Sequence, residues 1–394
     1  MPARLALAVM AWFGFINLYM VRINLSVIIV AMVRRNTTSA TAPPCLSNNN
    51  STQGSSGEQE RFSTDEQEGE MDWDETIQGL ILAGFFYGYV VSQIPGGRMA
   101  ELYGTRWVFG GCILAGGICA LLSPVAARAH YGAFIALRIV QGIFQGVSWP
   151  AMHSCISHWI PPLERPRFIA VVYFAAALST SFTLPLCGVI IASHGWAAAF
   201  YVTGALSLVW CTFWFAFMHD SPRQHPRITP EELKYIEETL QRSGTNTSRS
   251  VKLPLKSILR SMPVWAIIVA SAGNTWGLTV FLAKLPTYMK NILGFTITEN
   301  GFLSALPFLL RYMGAIIWSS LGDWLTKRGF LSICASRRIF SAIALWGPAV
   351  MVLGVAHSGC NWQATVILIC LALFCNGAVT ASIIVNHTDI APNF

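Results

Sequence analysis

Gly97-Arg98-Met99-Ala100-Glu101-Leu102-Tyr103-Gly104-Thr105-Arg106 sits between two apolar runs, and Ser319-Ser320-Leu321-Gly322-Asp323-Trp324-Leu325-Thr326-Lys327-Arg328 closes another run far downstream. Each decapeptide carries an acid at its fifth position and a base at its tenth; the second has Ser and Thr where the first has glycine. A charged turn that recurs between long apolar runs predicts a chain made of repeated helical units in a bilayer.

The composition around these turns agrees. The 394 residues are 54% hydrophobic and 11% charged, with a mean hydropathy of +0.51, which is too apolar for an ordinary hydrated surface. Successive runs of about 20 apolar residues find no water-free environment except a lipid core, where every backbone group has to be bonded inside a helix. Six spans are predicted at 5–33, 76–97, 107–126, 131–157, 168–192 and 196–218, and four more at 263–288, 301–321, 337–356 and 363–385. The expected organisation is a bundle over 1–218, a central loop over 219–262 and a second bundle over 263–394. The first run is too long for the core of a cleavable signal and reads as a retained helix. Within the central loop, Thr229-Pro230-Glu231-Glu232 has the chemistry of a helix start, so a short surface helix is expected from Pro230 to Arg242.

Charge fixes the expected orientation. Arg98, Arg106, Arg165, Arg167, Lys234, Arg242, Lys327, Arg328, Arg337 and Arg338 gather in alternate loops, which the positive-inside rule assigns to the cytoplasm together with the amino terminus. The net charge of +7 is thus spent in loops and does not imply a nucleic-acid partner. The opposite side receives the acidic, Ser- and Asn-rich loop 34–75, whose sequons at Asn36, Asn49 and Asn50 become glycosylation acceptors there.

Ionisable groups at membrane depth are costly and mark function or a partner. Arg22 lies well inside the first span and Arg138 in the fourth; Arg311 in the eighth is a weaker candidate. A guanidinium matches carboxylate or phosphate in two bonds, so these residues point to a small anionic substrate. Arg138 has a second reading, as a partner for helix ends or polar groups. Phe86 and Tyr89, within Phe85-Phe86-Tyr87-Gly88-Tyr89, offer aromatic walls, while Gly84 and Gly88 permit close helix contact. His153, His387 and Asp389 are candidate coupling groups, each equally readable as a satisfied polar residue. No set of metal ligands, nucleophile or acid and base converges, so neither an enzyme nor a cofactor is expected.

The stretch Arg138-Ile139-Val140-Gln141-Gly142-Ile143-Phe144-Gln145-Gly146-Val147-Ser148-Trp149-Pro150-Ala151-Met152-His153 resembles the solute carrier 17 anion transporters of the major facilitator superfamily. So do Arg22-Ile23-Asn24-Leu25-Ser26, Gln93-Ile94-Pro95-Gly96-Gly97 and Asn386-His387-Thr388-Asp389-Ile390-Ala391-Pro392. The resemblance spans the chain and is greatest to the lysosomal branch that exports sialic acid. It implies an all-α membrane protein of two pseudo-symmetric bundles, with ten of twelve helices present, because the chain stops after the tenth-helix motif. A fragment or a non-transporting isoform would share that feature. It also implies a monomer in a lysosomal or vesicular membrane that carries sialic acid, acidic sugars or acidic amino acids by alternating access. Substrate roles are implied for Arg22, Arg138, Phe86 and Tyr89, and a coupling role for His153. The decapeptides resemble the superfamily's cytoplasmic gate motif, which makes Gly97, Glu101, Gly104, Arg106, Asp323, Lys327 and Arg328 gate residues, with Glu101 and Asp323 pairing to bases and helix ends.

Two departures stand out. Glutamate-transporting members carry a histidine and an arginine where this chain has Leu82 and Asn274, so a dedicated glutamate role is not expected. Glutamates tied to proton coupling are replaced by Gln141 and Gln145, which lose no proton. Proton and sodium coupling both remain open, the latter in the manner of sodium-dependent phosphate and organic anion members.

Overall fold

The apolar runs form long helices because lipid offers no partner for a free peptide group, and interruptions occur where side chains supply those partners. The structure, a computed structural model, describes residues 3–34, 69–161, 164–226, 228–242, 260–359 and 361–383. Asn36, Asn49, Asn50, His387 and Asp389 lie outside the described residues. Helices α1 (Ala3–Ile23) and α2 (Leu25–Met32) share the first predicted span, followed by α3 (Glu75–Tyr103) and α4 (Thr105–Ala129). The fourth span is α5 (Tyr131–Gly146) with α6 (Ser148–Trp159), and α7 (Arg165–His194) and α8 (Trp196–Phe217) complete this series. After α9 (Pro230–Arg242) come α10 (Met262–Asn291), α11 (Ile297–Lys327), α12 (Ile333–His357) and α13 (Trp362–Asn376), which continues as a 3-10 turn over Gly377–Ala381.

Among the described residues, seven helical segments are long and apolar enough to cross a membrane, or eight with α3, which bends by 59° at Pro95. The ten predicted spans are therefore matched only loosely. The α5–α6 span carries Arg138, Gln141, Gln145, His153 and His158, and in α7 the apolar part is the shorter stretch Leu178–His194.

The chain divides into two compact units, one holding α1 to α9 and the other α10 to α13. In the first, Phe109, Trp210 and Trp214 pack at ring separations of 5.1–6.0 Å, and the indoles of Trp210 and Trp214 donate to the carbonyls of Met10 and Arg106. Helices α3 and α5 cross so closely that a Cβ on Gly88 would overlap the Ile139 carbonyl, and one on Gly142 the Phe85 carbonyl. This glycine contact sets the depth at which Phe85 and Tyr89 face α1.

Two joints fasten the ends of this unit. Met71 donates to the Met32 carbonyl at 2.8 Å and Arg34 to the Met71 carbonyl at 2.7 Å, with Glu70 paired to Arg128 at 3.1 Å beside them. At the opposite end, α1 has no acid in its first turn. Helix α9 supplies one: the Glu232 carboxylate accepts from the Ala3 and Arg4 amides at 3.0 and 3.2 Å and from Arg4 Nε at 3.0 Å. Burial pushes the Glu232 carboxyl upward, but these donors outweigh it and hold it below its ordinary value. In the second unit, α11, α12 and the end of α13 enclose a smaller core around Phe340, Ala344 and Val379.

Candidate functional site

The site grows from the break in the first span. Asn24 keeps helical dihedrals (φ −47°, ψ −38°), yet the helix stops at Ile23 and restarts at Leu25. An unbroken helix would bond the Leu25 and Ser26 amides to the carbonyls of Val21 and Arg22. Gln141 Nε2 donates to the Val21 carbonyl at 3.3 Å and Arg138 Nη2 to the Arg22 carbonyl at 3.4 Å, while Ser26 Oγ turns back to the Ile23 carbonyl at 2.8 Å. Asn24, fully buried, is anchored to Thr203 of α8 at 3.0 Å.

At the last turn of α1, the half-buried Arg22 enters an aromatic enclosure. Its guanidinium carbon lies 4.7 Å from the Tyr89 ring centroid, 5.0 Å from Phe85, 5.2 Å from Phe86 and 5.4 Å from Tyr19. Each ring face attracts the cation by roughly 0.5–2 kcal/mol, more where water is excluded. Among the described residues, no carboxylate pairs with Arg22 or Arg138. A planar, permanently charged fork framed by π faces is suited to a carboxylate whose carbon skeleton stacks on the rings.

The structure thus gathers Arg22, Phe86 and Tyr89, adding Tyr19 and Phe85. Arg138 stands behind them, 3% exposed, its guanidinium 5.5 Å from the Phe85 ring and its Nη1 bonded to Gln141 Oε1 at 2.8 Å. Gln145 is equally buried, and its Oε1 has no partner. His153 does not join the group; it is exposed on α6, its Nδ1 3.0 Å from the Trp149 carbonyl. In the second unit Arg311 Nε donates to Asn376 Oδ1 at 2.8 Å, and Asn376 donates to Asn274 Oδ1 at 2.8 Å.

In the first gate decapeptide Glu101 pairs with a base, Arg98, at 2.7 Å one turn away, both exposed. A Cβ on Gly97 would meet the Pro150 side chain only at ordinary distance. Gly104 takes φ +85°, as the turn between α3 and α4 requires, with the Asp220 carboxylate packed against it. Asp220 Oδ1 accepts from the Arg106 amide at 2.7 Å, capping α4, and the Arg106 side chain bonds the Phe215 carbonyl. Asp323 is exposed without an ion pair among the described residues, Lys327 is exposed, and Arg328 stacks on Trp324 at 4.8 Å. Asp220 and Tyr19 are the participants that the sequence reading passes over, while Phe85 belongs to the aromatic stretch it singles out.

Long apolar helices and a cation enclosed at membrane depth define a multi-pass membrane transporter. The chain matches the Major Facilitator Superfamily over residues 6–394. It is 37% identical to sialin of Homo sapiens, across 100% of this chain and 78% of that one, and 35% identical to vesicular glutamate transporter 2 of Mus musculus, across 100% and 64%. A Drosophila ananassae protein provisionally named an inorganic phosphate cotransporter is 35% identical, across 98% of this chain and 79% of that one. The fold aligns with a bacterial homolog of the lysosomal transporter Spinster (TM-score 0.68, 12% identity, 99% and 75% of the two chains) and with a D-xylose-proton symporter (0.62, 13%, 96% and 80%). The chain therefore belongs to the major facilitator superfamily, among transporters of the solute carrier 17 type.

Proposed function

We propose that this protein is a secondary transporter of small organic anions, of sialic acid, acidic sugar or acidic amino acid type, working by alternating access in a lysosomal or vesicular membrane. The observation that carries the reading is Arg22 among four aromatic rings with no carboxylate partner among the described residues. Such a cation attracts an anion, and the rings accept its apolar face. Arg22, Phe86 and Tyr89 are the substrate residues of this reading. The amino terminus and the central loop 219–262 face the cytoplasm, and the sequons of loop 34–75 face the lumen. A second reading, sodium-dependent transport of phosphate or organic anions, is favoured by the amides of Gln141 and Gln145, which hold no proton to exchange.

Purified protein in liposomes tests both. Counterflow of sialic acid, glucuronate, aspartate, glutamate and phosphate is compared under imposed pH, sodium and voltage gradients. Saturable anion flux that weakens in Arg22→Lys supports the proposal; flux indifferent to the anion's charge sinks it. Stimulation by sodium but not by a proton gradient selects the second reading.

A further inference from the structure

We infer that Arg138 and Gln141 are positioning residues for Arg22 and do not touch the transported anion. The inference rests on Arg22 being the anion ligand proposed above. Its starting point is the break at Asn24, beside which two consecutive carbonyls of α1, Val21 and Arg22, accept from side chains of α5. A buried donor bonded to a backbone carbonyl fixes that carbonyl's place. Gln141 and Arg138, three residues apart on one face of α5, do so at 3.3 and 3.4 Å and are themselves joined at 2.8 Å. These two carbonyl bonds are long, but their number and pairing are decisive: one bridged pair meets both carbonyls.

The guanidinium of Arg138 meets partial negative charge in the same place, from Gln141 Oε1 at 2.8 Å and the Arg22 carbonyl at 3.4 Å. It is also covered: Phe85 and Gln141, which lie against it, are 1% and 0% exposed. An anion that reached Arg138 would have to displace both. The bond to the Arg22 carbonyl instead fixes the backbone of the residue whose side chain fills the aromatic enclosure.

The test compares Arg138→Lys, Arg138→Gln, Gln141→Leu and Arg22→Gln in the full chain, each first checked for a monodisperse peak and thermal unfolding in detergent. Two quantities are read: amide hydrogen exchange of the segment 18–28, and the KM and Vmax of sialic acid counterflow, with aspartate counterflow run in parallel. A positioning role predicts faster exchange confined to that segment in Gln141→Leu and both Arg138 variants. It also predicts a KM raised about five- to tenfold in all three, with Vmax largely kept, as expected for loss of one net hydrogen bond. Arg138→Lys and Arg138→Gln should be alike, because charge is not what the residue contributes. Uptake abolished in Arg138→Gln and restored in Arg138→Lys would make Arg138 an anion ligand and overturn the inference, as would unchanged exchange in Gln141→Leu. Unchanged uptake in Arg22→Gln overturns the site reading itself, and this inference falls with it.

Discussion

A guanidinium among four rings is held by faces, not by a counter-ion, so the enclosure can be weakened without removing any charge. Tyr89 contributes the nearest ring at 4.7 Å and a hydroxyl. Tyr89→Phe keeps the face and should leave anion KM within about twofold, whereas Tyr89→Leu removes it and should raise KM by about five- to thirtyfold, the equivalent of about 1–2 kcal/mol. Counterflow kinetics of the two variants check this, and equal KM values would show that the ring face does not matter. Arg22 itself is legible in the sequence because a charge inside an apolar run has few explanations. Its neighbour Tyr19 is not, since an aromatic residue in an apolar run looks the same whether it packs or encloses a cation. Asp220 is hidden for another reason: the amide it caps belongs to Arg106, 114 residues away.

At the scale of elements, helix breaks separate what the sequence shows from what it hides. The hydropathy runs fall on helices, though only seven or eight of those described are long and apolar enough to cross a membrane, and Pro230 to Arg242 is a helix as its start signal predicts. The break at Asn24 carries neither proline nor glycine, so nothing local announces it; the donors beside it come from α5, more than a hundred residues on. Helix α9 shows the same dependence in reverse, since its Glu232 completes the amino end of α1. Removing those acceptors in Glu232→Ala leaves the Ala3 and Arg4 amides short of a partner, while the Arg4 guanidinium keeps Glu164 at 2.7 Å, and should cost about 1.5–3 kcal/mol, seen as a fall in the thermal midpoint in detergent. The pH dependence has a definite sign. A carboxyl whose folded value is depressed stabilises fully above its ordinary range near 4.5 and loses that contribution as pH falls through the lower, folded value. The difference in midpoint between wild type and Glu232→Ala should therefore be constant at neutral pH and shrink below about 4.5. A difference that grows on acidification would contradict the capping role.

Across the whole molecule, the interior of the first unit holds two arginines and, among the described residues, no acid paired to either. The side chains around Arg22 are the rings of Tyr19, Phe85, Phe86 and Tyr89, with no carboxylate or imidazole among them. Gln141 and Gln145 in the fourth span likewise hold no proton to lose. The KM for an anion that stays fully ionised should accordingly be flat between about pH 5.5 and 7.5, even where Vmax varies. A KM that moves tenfold over that interval would require a titrating residue at the site.

The joint between Met32, Arg34 and Met71 has a bearing on how such a molecule can be oriented. Residues 32 and 71 are hydrogen-bonded neighbours, so the two ends of the sequence between them lie side by side at one rim of the first unit. The separation of those ends is held by two backbone bonds and not by the number of residues that join them. A glycan found on Asn36, Asn49 or Asn50 would identify that rim as luminal.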